Sequence, residues 1–332
     1  MRAVLEAGIR SLAGFLSPAG SNARLSILIY HRVLAQPDSL NDSDPTAEVF
    51  AAQMRALSAH FTPLPVSEAV ERLAAGRLPS RAVCVTFDDG YADNAEVALP
   101  ILLRYRIPAT VFVATGFLNG GRMWNDTVVE AIRRVDGPTI ALEDPALEAI
   151  AVGSLAAKKA AIRKVLAVWR RRPPAERRAR ADALAARVGA TLPADLTMRD
   201  DQVRMLRSAG MEIGAHTVSH PILRTLSAGE ARDEIAESRE HLQALLGEPV
   251  RLFAYPNGRP NLDYSAEHTR IVRELGFDAA VSTAVGVATR RRDPYQLPRF
   301  TPWDREPLVF STRLVANLRR VSVDQVRVGG TA

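Results

Sequence analysis

The sequence has one cysteine, few aromatic residues and no apolar stretch long enough to cross a membrane. Cys84 is the only cysteine among 332 residues, so no disulfide can form within one chain. It lies in an apolar stretch, which predicts a buried core thiol. Aromatic residues make up 6% and hydrophobic residues 47% of the chain. With a mean hydropathy of −0.04, these values are typical of a soluble globular protein of one large domain or two.

Residues 1–22 are predicted to form an amphipathic helix. Apolar residues recur at helical spacing, but Glu6 and Arg10 interrupt any continuous apolar core. We therefore expect neither a signal peptide nor a membrane-spanning helix here. The helix is expected to pack on the main domain, with an interfacial membrane anchor as the alternative. The expected location is the cytoplasm or the periphery of a membrane.

The formal net charge of +6 is concentrated in one segment. Residues 158–187 carry eleven basic and two acidic residues, a local net charge of +9, so the rest of the chain is slightly acidic. Two interpretations remain open: a solvated helical face, or a docking surface for an anionic membrane or a charged polymer. Trp169 is the only aromatic residue among these charges, so nucleic-acid binding is not expected. The sequence does not indicate an oligomeric state.

Two adjacent carboxylates, Asp88 and Asp89, follow an apolar run that predicts a buried strand. Gly90 comes next and permits a sharp turn. The carboxyl end of a parallel strand is where α/β folds place their chemistry. Because neighbouring anions repel, we expect a cation, an arginine or a proton to hold the pair together.

Two histidines, His216 and His220, follow a second short strand-like run. Their spacing of four predicts one helical turn with both rings on the same side. Two imidazoles and one carboxylate form a plausible zinc site with a position left open for water. Either pattern alone is weak, but together, each after a strand, they favour a metal site.

These motifs resemble a known family. Residues 86–90 (Thr-Phe-Asp-Asp-Gly) and 216–220 (His-Thr-Val-Ser-His) are similar to the first two motifs of the polysaccharide deacetylases with the NodB-homology fold. Residues 253–258 (Phe-Ala-Tyr-Pro-Asn-Gly) resemble the third motif, and residues 30–33 (Tyr-His-Arg-Val) the start of a branch that acts on exopolysaccharides. The resemblance covers about residues 25–304. It implies metal-dependent removal of acetyl groups from amino sugars in a carbohydrate polymer.

The resemblance also implies roles for individual residues. Asp89, His216 and His220 would hold a divalent metal ion, zinc by default with cobalt or nickel as alternatives. Asp88 would take the proton from the attacking water. A backbone N–H at the turn before Gly258, that of Asn257, would face the developing oxyanion. An ordinary Pro-Asn-Gly turn is the alternative for this loop.

Two departures from the family pattern concern the proton donor and the orienting arginine. The fifth motif reads Leu-Pro-Arg-Phe at residues 297–300 and lacks its histidine, and the third motif lacks its arginine. We hypothesise that Arg299 orients Asp88 from another strand and that His31 is the general acid. A structural histidine is the alternative for His31. Further substrate contacts are predicted for Tyr255, Pro256, Trp303 and Asp304, with capping of the barrel as the alternative for Trp303.

Seven strand candidates alternate with helices. They begin near residues 26, 82, 109, 211, 251, 279 and 296. This order predicts right-handed parallel crossovers. The fold class is therefore an α/β, irregular seven-stranded (β/α) barrel of the NodB type, spanning residues 23–332. Residues 121–197 interrupt the alternation and predict a helical insertion. Residues 124–126 begin this insertion and could cover the mouth of the barrel.

The leading functional hypothesis is a metal-dependent hydrolase that removes N-acetyl groups from N-acetylglucosamine-type sugars in a polysaccharide or its precursor. A catalytically impaired carbohydrate-binding protein on the same fold is one alternative. A protein that docks on an anionic surface through its basic helices is the other.

Overall fold

The computed structural model describes residues 2–170, 172–189, 191–321 and 324–326. Its strands are β1 (Ser26–Tyr30), β2 (Thr62–Pro63), β3 (Ala82–Phe87), β4 (Ala109–Val113), β5 (Thr139–Ala141), β6 (Ala149–Ala151), β7 (Glu212–Ala215), β8 (Leu252–Ala254), β9 (Ala279–Val285) and β10 (Leu297–Arg299). The main sheet runs in the order β1-β3-β4-β7-β8-β9-β10, all pairs parallel, and the short β2 joins it beside β3. Sequential order with parallel pairing is what repeated strand–helix units produce.

The sheet curls until its two ends meet. Ile29 donates a backbone hydrogen bond to Phe300 O at 3.1 Å, and Phe300 donates one to Ile27 O at 2.7 Å. These bonds join the end of β10 to β1. The prediction of an irregular seven-stranded (β/α) barrel is therefore confirmed.

Helices surround the barrel. They are α1 (Arg2–Leu16), α2 (Ala47–His60), α3 (Val66–Ala74), α4 (Leu99–Tyr105), α5 (Trp124–Arg133), α6 (Leu155–Trp169), α7 (Pro174–Val188), α8 (Asp200–Ser208), α9 (Ala228–Leu246), α10 (Ala266–Glu274) and α11 (Pro307–Asn317). A π-helical segment, Asn94–Ala98, leads into α4. Ser227 caps α9 with Glu230 in a capping box.

The barrel strands are buried on both faces, since the helices cover the outside and side chains fill the inside. Cys84 lies in β3 and is buried, as expected. The carboxyl ends of the strands, with the loops that follow them, form one end of the barrel. The predicted site residues lie at this end.

Residues 121–197, between β4 and α8, form a roof over that end. It contains α5, α6 and α7, and also an antiparallel hairpin of β5 and β6 that the sequence did not predict. Its apolar residues form a core of their own, which includes Ile132, Val165 and Leu184. Pro174 begins α7, where its missing N–H costs nothing. The domain limits, 1–22, 23–332 and the insertion 121–197, stay proposals, and their terminal residues 1 and 327–332 lie outside the described part.

Part of the charge of the basic segment is neutralised by ion pairs within the protein. Its ion pairs are Lys159–Asp42, Arg172–Asp144, Arg172–Glu176, Arg180–Asp144, Arg180–Glu176 and Arg187–Glu143. On α1, by contrast, Leu12 is 51% and Phe15 is 81% exposed. In the ranges that the structure describes, none of the helices has the length and hydropathy needed to span a bilayer.

Candidate active site

A cavity of about 840 Å³ opens at the carboxyl end of the barrel, between the strand ends and the roof. It brings together predicted site residues from distant parts of the chain: His31, Asp88, Asp89, His216, His220, Asn257 and Trp303. The roof contributes Trp124, Asp126, Leu166, Arg170 and Arg177.

Asp89 is the centre of the candidate metal site. Its Oδ1 lies 3.4 Å from Nε2 of His216 and 3.4 Å from Nε2 of His220. This oxygen is buried and has no hydrogen-bond partner in the part of the chain that the structure describes. Asp89 has a φ of +77°, in the left-handed region that a Cβ disfavours. An unsatisfied carboxylate oxygen flanked by two imidazole nitrogens, all within 4.8 Å of one another, fits a divalent cation.

The tautomer of His216 also fits metal binding. Its Nδ1 lies 2.8 Å from the carbonyl oxygen of Ala254. Because a carbonyl can only accept, Nδ1 carries a proton, and Nε2 is the nitrogen that faces Asp89. Burial lowers the pKa of His216, but the charges of Asp88 and Asp89 outweigh it and raise that pKa. Binding of a cation at Nε2 would therefore compete with protonation of this ring.

His220 and Asp89, the other two groups of the site, are at neutral pH in the protonation states that bind metal ions. Burial lowers the pKa of His220 to about 4, so its ring is neutral. Burial would raise the pKa of Asp89, but the nearby His220 and His216 hold it well below its ordinary value. A neutral imidazole and a carboxylate are the forms that coordinate metal ions.

A turn, and not a helix, brings the two histidines together. The helical turn predicted from their spacing is wrong, because Thr217 and His220 have φ of +66° and +53°. The ring centroids nevertheless lie 4.9 Å apart. Glu234 on α9 accepts two backbone N–H groups of this loop, at 2.9 and 2.8 Å. Sequence reasoning missed Glu234, because a carboxylate on a surface helix carries no local signal of such a role.

Arg299, for which we hypothesised an orienting role, contacts Asp88. Nη1 and Nη2 of Arg299 each lie 2.7 Å from one carboxylate oxygen of Asp88. Both side chains are buried, and Arg299 also donates to Ser282 O at 2.9 Å and to Thr86 Oγ1 at 3.2 Å. Burial would raise the pKa of Asp88, but the charge of Arg299 and then that of His216 hold it below its ordinary value. Asp88 is therefore ionised at neutral pH.

His31 is exposed at the cavity, on a loop that two polar residues hold in place. Asn94 Nδ2 donates to the carbonyl oxygen of His31 at 2.9 Å. Asp93 accepts from Arg32 Nε at 2.8 Å and from Val33 N at 3.1 Å. The sequence analysis did not single out Asp93 and Asn94, whose only signal is their closeness to the Asp88–Asp89 pair.

The loop after β8 has a backbone conformation that leaves an N–H group free to donate a hydrogen bond. Asn257 and Gly258 have φ of +57° and +67°. A Cβ on Gly258 would lie 3.0 Å from both Thr283 N and Tyr255 O, so only glycine fits without displacement. Within the described ranges the backbone N–H of Asn257 has no acceptor, which leaves it available. The Asn257 side-chain oxygen accepts from Arg170 Nη2 of the roof at 2.7 Å.

Three predicted substrate contacts do not lie in the cavity wall. Tyr255 is 1% exposed, stacks on Tyr264 at 4.0 Å and donates to Tyr295 O at 3.0 Å, so its role here is structural. Pro256 is buried beside it. Asp304 is paired with Arg313 at 2.8 Å. Trp303, in contrast, lines the cavity and is 61% exposed.

The roof places another carboxyl group in the cavity that sequence reasoning did not assign. Tyr91 donates its hydroxyl to Asp126, with distances of 3.0 and 3.2 Å to the two oxygens. Burial, and then the charge of Asp89, raise the pKa of Asp126 to about 7. The prediction that residues 124–126 lie over the mouth of the barrel agrees with this position.

Sequence comparisons match this chain to a family of polysaccharide deacetylases. The family described as polysaccharide deacetylase matches residues 75–141 and 161–280, more than half of the chain. YxkH of Bacillus subtilis is 22% identical over 279 residues, covering 83% of this chain and 71% of that protein. Poly-beta-1,6-N-acetyl-D-glucosamine N-deacetylase of Staphylococcus epidermidis is 31% identical over 112 residues, covering 30% of this chain and 38% of that protein.

Solved structures share the fold. The deacetylase PplD of Streptococcus pyogenes, determined in complex with acetate, superimposes with a TM-score of 0.60 at 20% identity, covering 89% of this chain and 98% of that one. IcaB of Ammonifex degensii superimposes with a TM-score of 0.57 at 21% identity, covering 92% and 99%. These likenesses agree with the barrel described above.

Proposed function

Because this chain belongs to the polysaccharide deacetylase family, we propose that it is a metal-dependent hydrolase that removes N-acetyl groups from amino sugars. The substrate class is N-acetylglucosamine-type units in a polysaccharide or its precursor. The name of the Staphylococcus epidermidis relative, poly-beta-1,6-N-acetyl-D-glucosamine N-deacetylase, supports this choice of sugar. An exopolysaccharide role is part of the same proposal.

One observation carries the proposal. Asp89 Oδ1 is buried and unsatisfied between two imidazole Nε2 atoms, and the ionised Asp88 is its sequence neighbour. A cation site with a carboxylate base beside it is the arrangement that hydrolysis of an amide needs. Zinc is the default ion for an Asp-His-His set, with cobalt and nickel as alternatives.

Each side chain then has a distinct task. Asp89, His216 and His220 hold the ion, which when bound polarises the acetyl carbonyl and makes the attacking water more acidic. Asp88 accepts the proton of that water. Arg299 keeps Asp88 ionised and fixes the direction of its carboxylate.

The remaining tasks fall to two loops. The backbone N–H of Asn257 donates to the oxyanion, in a loop whose shape Gly258 permits. His31 delivers a proton to the departing amine, from a loop anchored by Asp93 and Asn94. Trp303 offers an exposed aromatic face to a pyranose ring.

The alternative of a carbohydrate-binding protein without turnover is less well supported. The proposed base and the three proposed ligands line one cavity, and Arg299 contacts the base. Loss of turnover would leave no reason to keep an ionised, buried Asp88 beside a cation site.

Contact with a membrane surface is proposed for α1 alone. Leu12 and Phe15 expose large apolar side chains on this helix. In the basic segment, four of the basic residues already form ion pairs within the protein, which reduces the charge available for such a contact.

The decisive experiment measures acetate released from a panel of N-acetylglucosamine polymers, before and after chelation and after zinc is restored. We expect release that chelation abolishes and zinc restores. Asp88→Asn should abolish release, whereas Asp233→Asn, on the exposed face of α9, should not. No acetate from any substrate in the zinc-loaded protein would contradict the proposal.

A further inference from the structure

Two arginines of the roof face the cavity without a carboxylate partner. These are Arg170, just after α6, and Arg177 on α7. The other arginines of the cavity wall each form an ion pair: Arg32 with Asp93, Arg133 with Asp38 and Arg259 with Asp263. In the described ranges, no ion pair involves Arg170 or Arg177.

Arg177 is the more unusual of the two. Its side chain is deeply buried, at 4% exposure, and its Nε has no hydrogen-bond partner in the residues described. Its guanidinium lies over the ring of Trp124 at 5.3 Å, a neutral contact that supplies no counter-charge. Burial, and then the charge of Arg170, lower the pKa of Arg177. A buried cation beside a second cation is unfavourable unless an anion joins them.

We propose that Arg170 and Arg177 form a subsite for a phosphate group on the sugar substrate. The inference rests on the proposed deacetylase function and narrows its substrate to an N-acetylated amino sugar that carries a phosphate monoester. Two guanidinium groups carry two positive charges, which match a phosphate of charge −1.5 to −2 better than a carboxylate. Several N–H donors in a planar fork also suit tetrahedral phosphate oxygens.

The subsite is connected to the reaction centre. Arg170 donates to the side chain of Asn257 at 2.7 Å, and Asn257 carries the proposed oxyanion donor. An anion bound by the arginine pair would therefore lie in the same cavity as Asp88 and the metal ligands. A substrate with its phosphate there keeps its acetamide within the space under the roof.

The test compares three matched oligosaccharides of N-acetylglucosamine: a neutral one, one with a 1-phosphate, and one oxidised at its reducing end to a carboxylate. Acetate release gives kcat/KM for each with the zinc-loaded protein. Arg177→Gln and Arg170→Gln remove one charge each. Arg178→Gln is the matched control, because Arg178 is the next residue and is exposed on the outside of α7.

We expect the wild-type protein to favour the phosphorylated over the neutral oligosaccharide by about ten- to a hundredfold, as charged hydrogen bonds allow. In Arg177→Gln and Arg170→Gln this ratio should fall toward one, mainly through KM. Arg178→Gln should keep the wild-type ratio. Equal kcat/KM for the neutral and phosphorylated sugars in the wild type, or an unchanged ratio in Arg177→Gln, would overturn the inference. An equal preference for the carboxylate would overturn the assignment to phosphate.

A binding measurement supports the kinetics if a variant folds poorly. Inorganic phosphate should raise the Tm of the wild-type protein and inhibit release from the phosphorylated oligosaccharide competitively. The absence of both effects would count against the subsite. The two proposals fail differently: acetate release without phosphate preference rejects only the subsite, whereas no release from any sugar rejects the deacetylase function.

Discussion

The ion pair between Arg299 and Asp88 can be tested by replacing the arginine with methionine, which keeps most of the volume. Arg299→Met removes both 2.7 Å contacts and leaves a carboxyl group that is 3% exposed without a counter-charge. Removing one partner of a buried pair costs about 3–5 kcal/mol. We expect the free energy of unfolding to fall by about that amount at pH 8.

The loss should depend on pH in a defined direction. In the wild type the pKa of Asp88 lies below its unfolded value, so the pair stabilises fully above about pH 4 and its contribution is lost as pH falls through the folded pKa. In Arg299→Met, burial would instead raise the pKa of Asp88 above the unfolded value. The cost of the buried charge then appears as pH rises, so the variant should be closest to the wild type in acid.

Urea denaturation of the metal-free proteins at about pH 4.5 and pH 8 measures both effects. In the same variant the acidic limb of the kcat/KM profile should move to higher pH, because a protonated Asp88 cannot act as a base. Arg299→Lys, which keeps the charge but not the two-pronged contact, should lie between the wild type and Arg299→Met. A stability loss below about 1 kcal/mol at pH 8, or a loss that is equal at both pH values, would refute this reasoning.

Three further predictions concern the loops around the site. His31→Ala should lower kcat by about 10²- to 10⁴-fold while zinc content by atomic absorption stays the same; unchanged turnover would remove His31 from the mechanism. Glu234→Gln should weaken zinc binding about tenfold in a chelator competition, because the neutral amide holds the histidine loop less firmly; equal affinity would reject that role. Gly258→Ala should cost about 1–2 kcal/mol in urea denaturation because of its positive φ, whereas Gly229→Ala, with open space around it on α9, should be neutral or stabilising; equal effects of the two would contradict the strain argument.

The barrel could be predicted because its strands are short apolar runs that end in polar residues. Both faces of these strands are buried, so composition alone marks them. The acidic pair and the two histidines follow such runs directly, and the parallel order brings their strand ends to one place. The fold and the candidate metal site could therefore be predicted, because both depend on local patterns that a single sequence contains.

The parts that sequence reasoning missed depend on contacts between distant residues. The histidines face Asp89 because of two positive φ values in a turn, which no helical spacing encodes. Tyr255 was predicted to contact the substrate, but its ring stacks on Tyr264 instead. Glu234 acts through backbone groups of a loop 15 or 16 residues earlier in the chain, so only the folded structure shows it.

The separate apolar core of the roof has an evolutionary consequence. Substitutions among residues such as Ile132, Val165 and Leu184 would reshape the ceiling of the cavity while the strand ends below keep their geometry. We therefore expect related proteins with different roofs to differ in which sugars they accept while keeping one set of reacting groups. Exchange of the proposed insertion, residues 121–197, between such proteins should transfer selectivity as a unit.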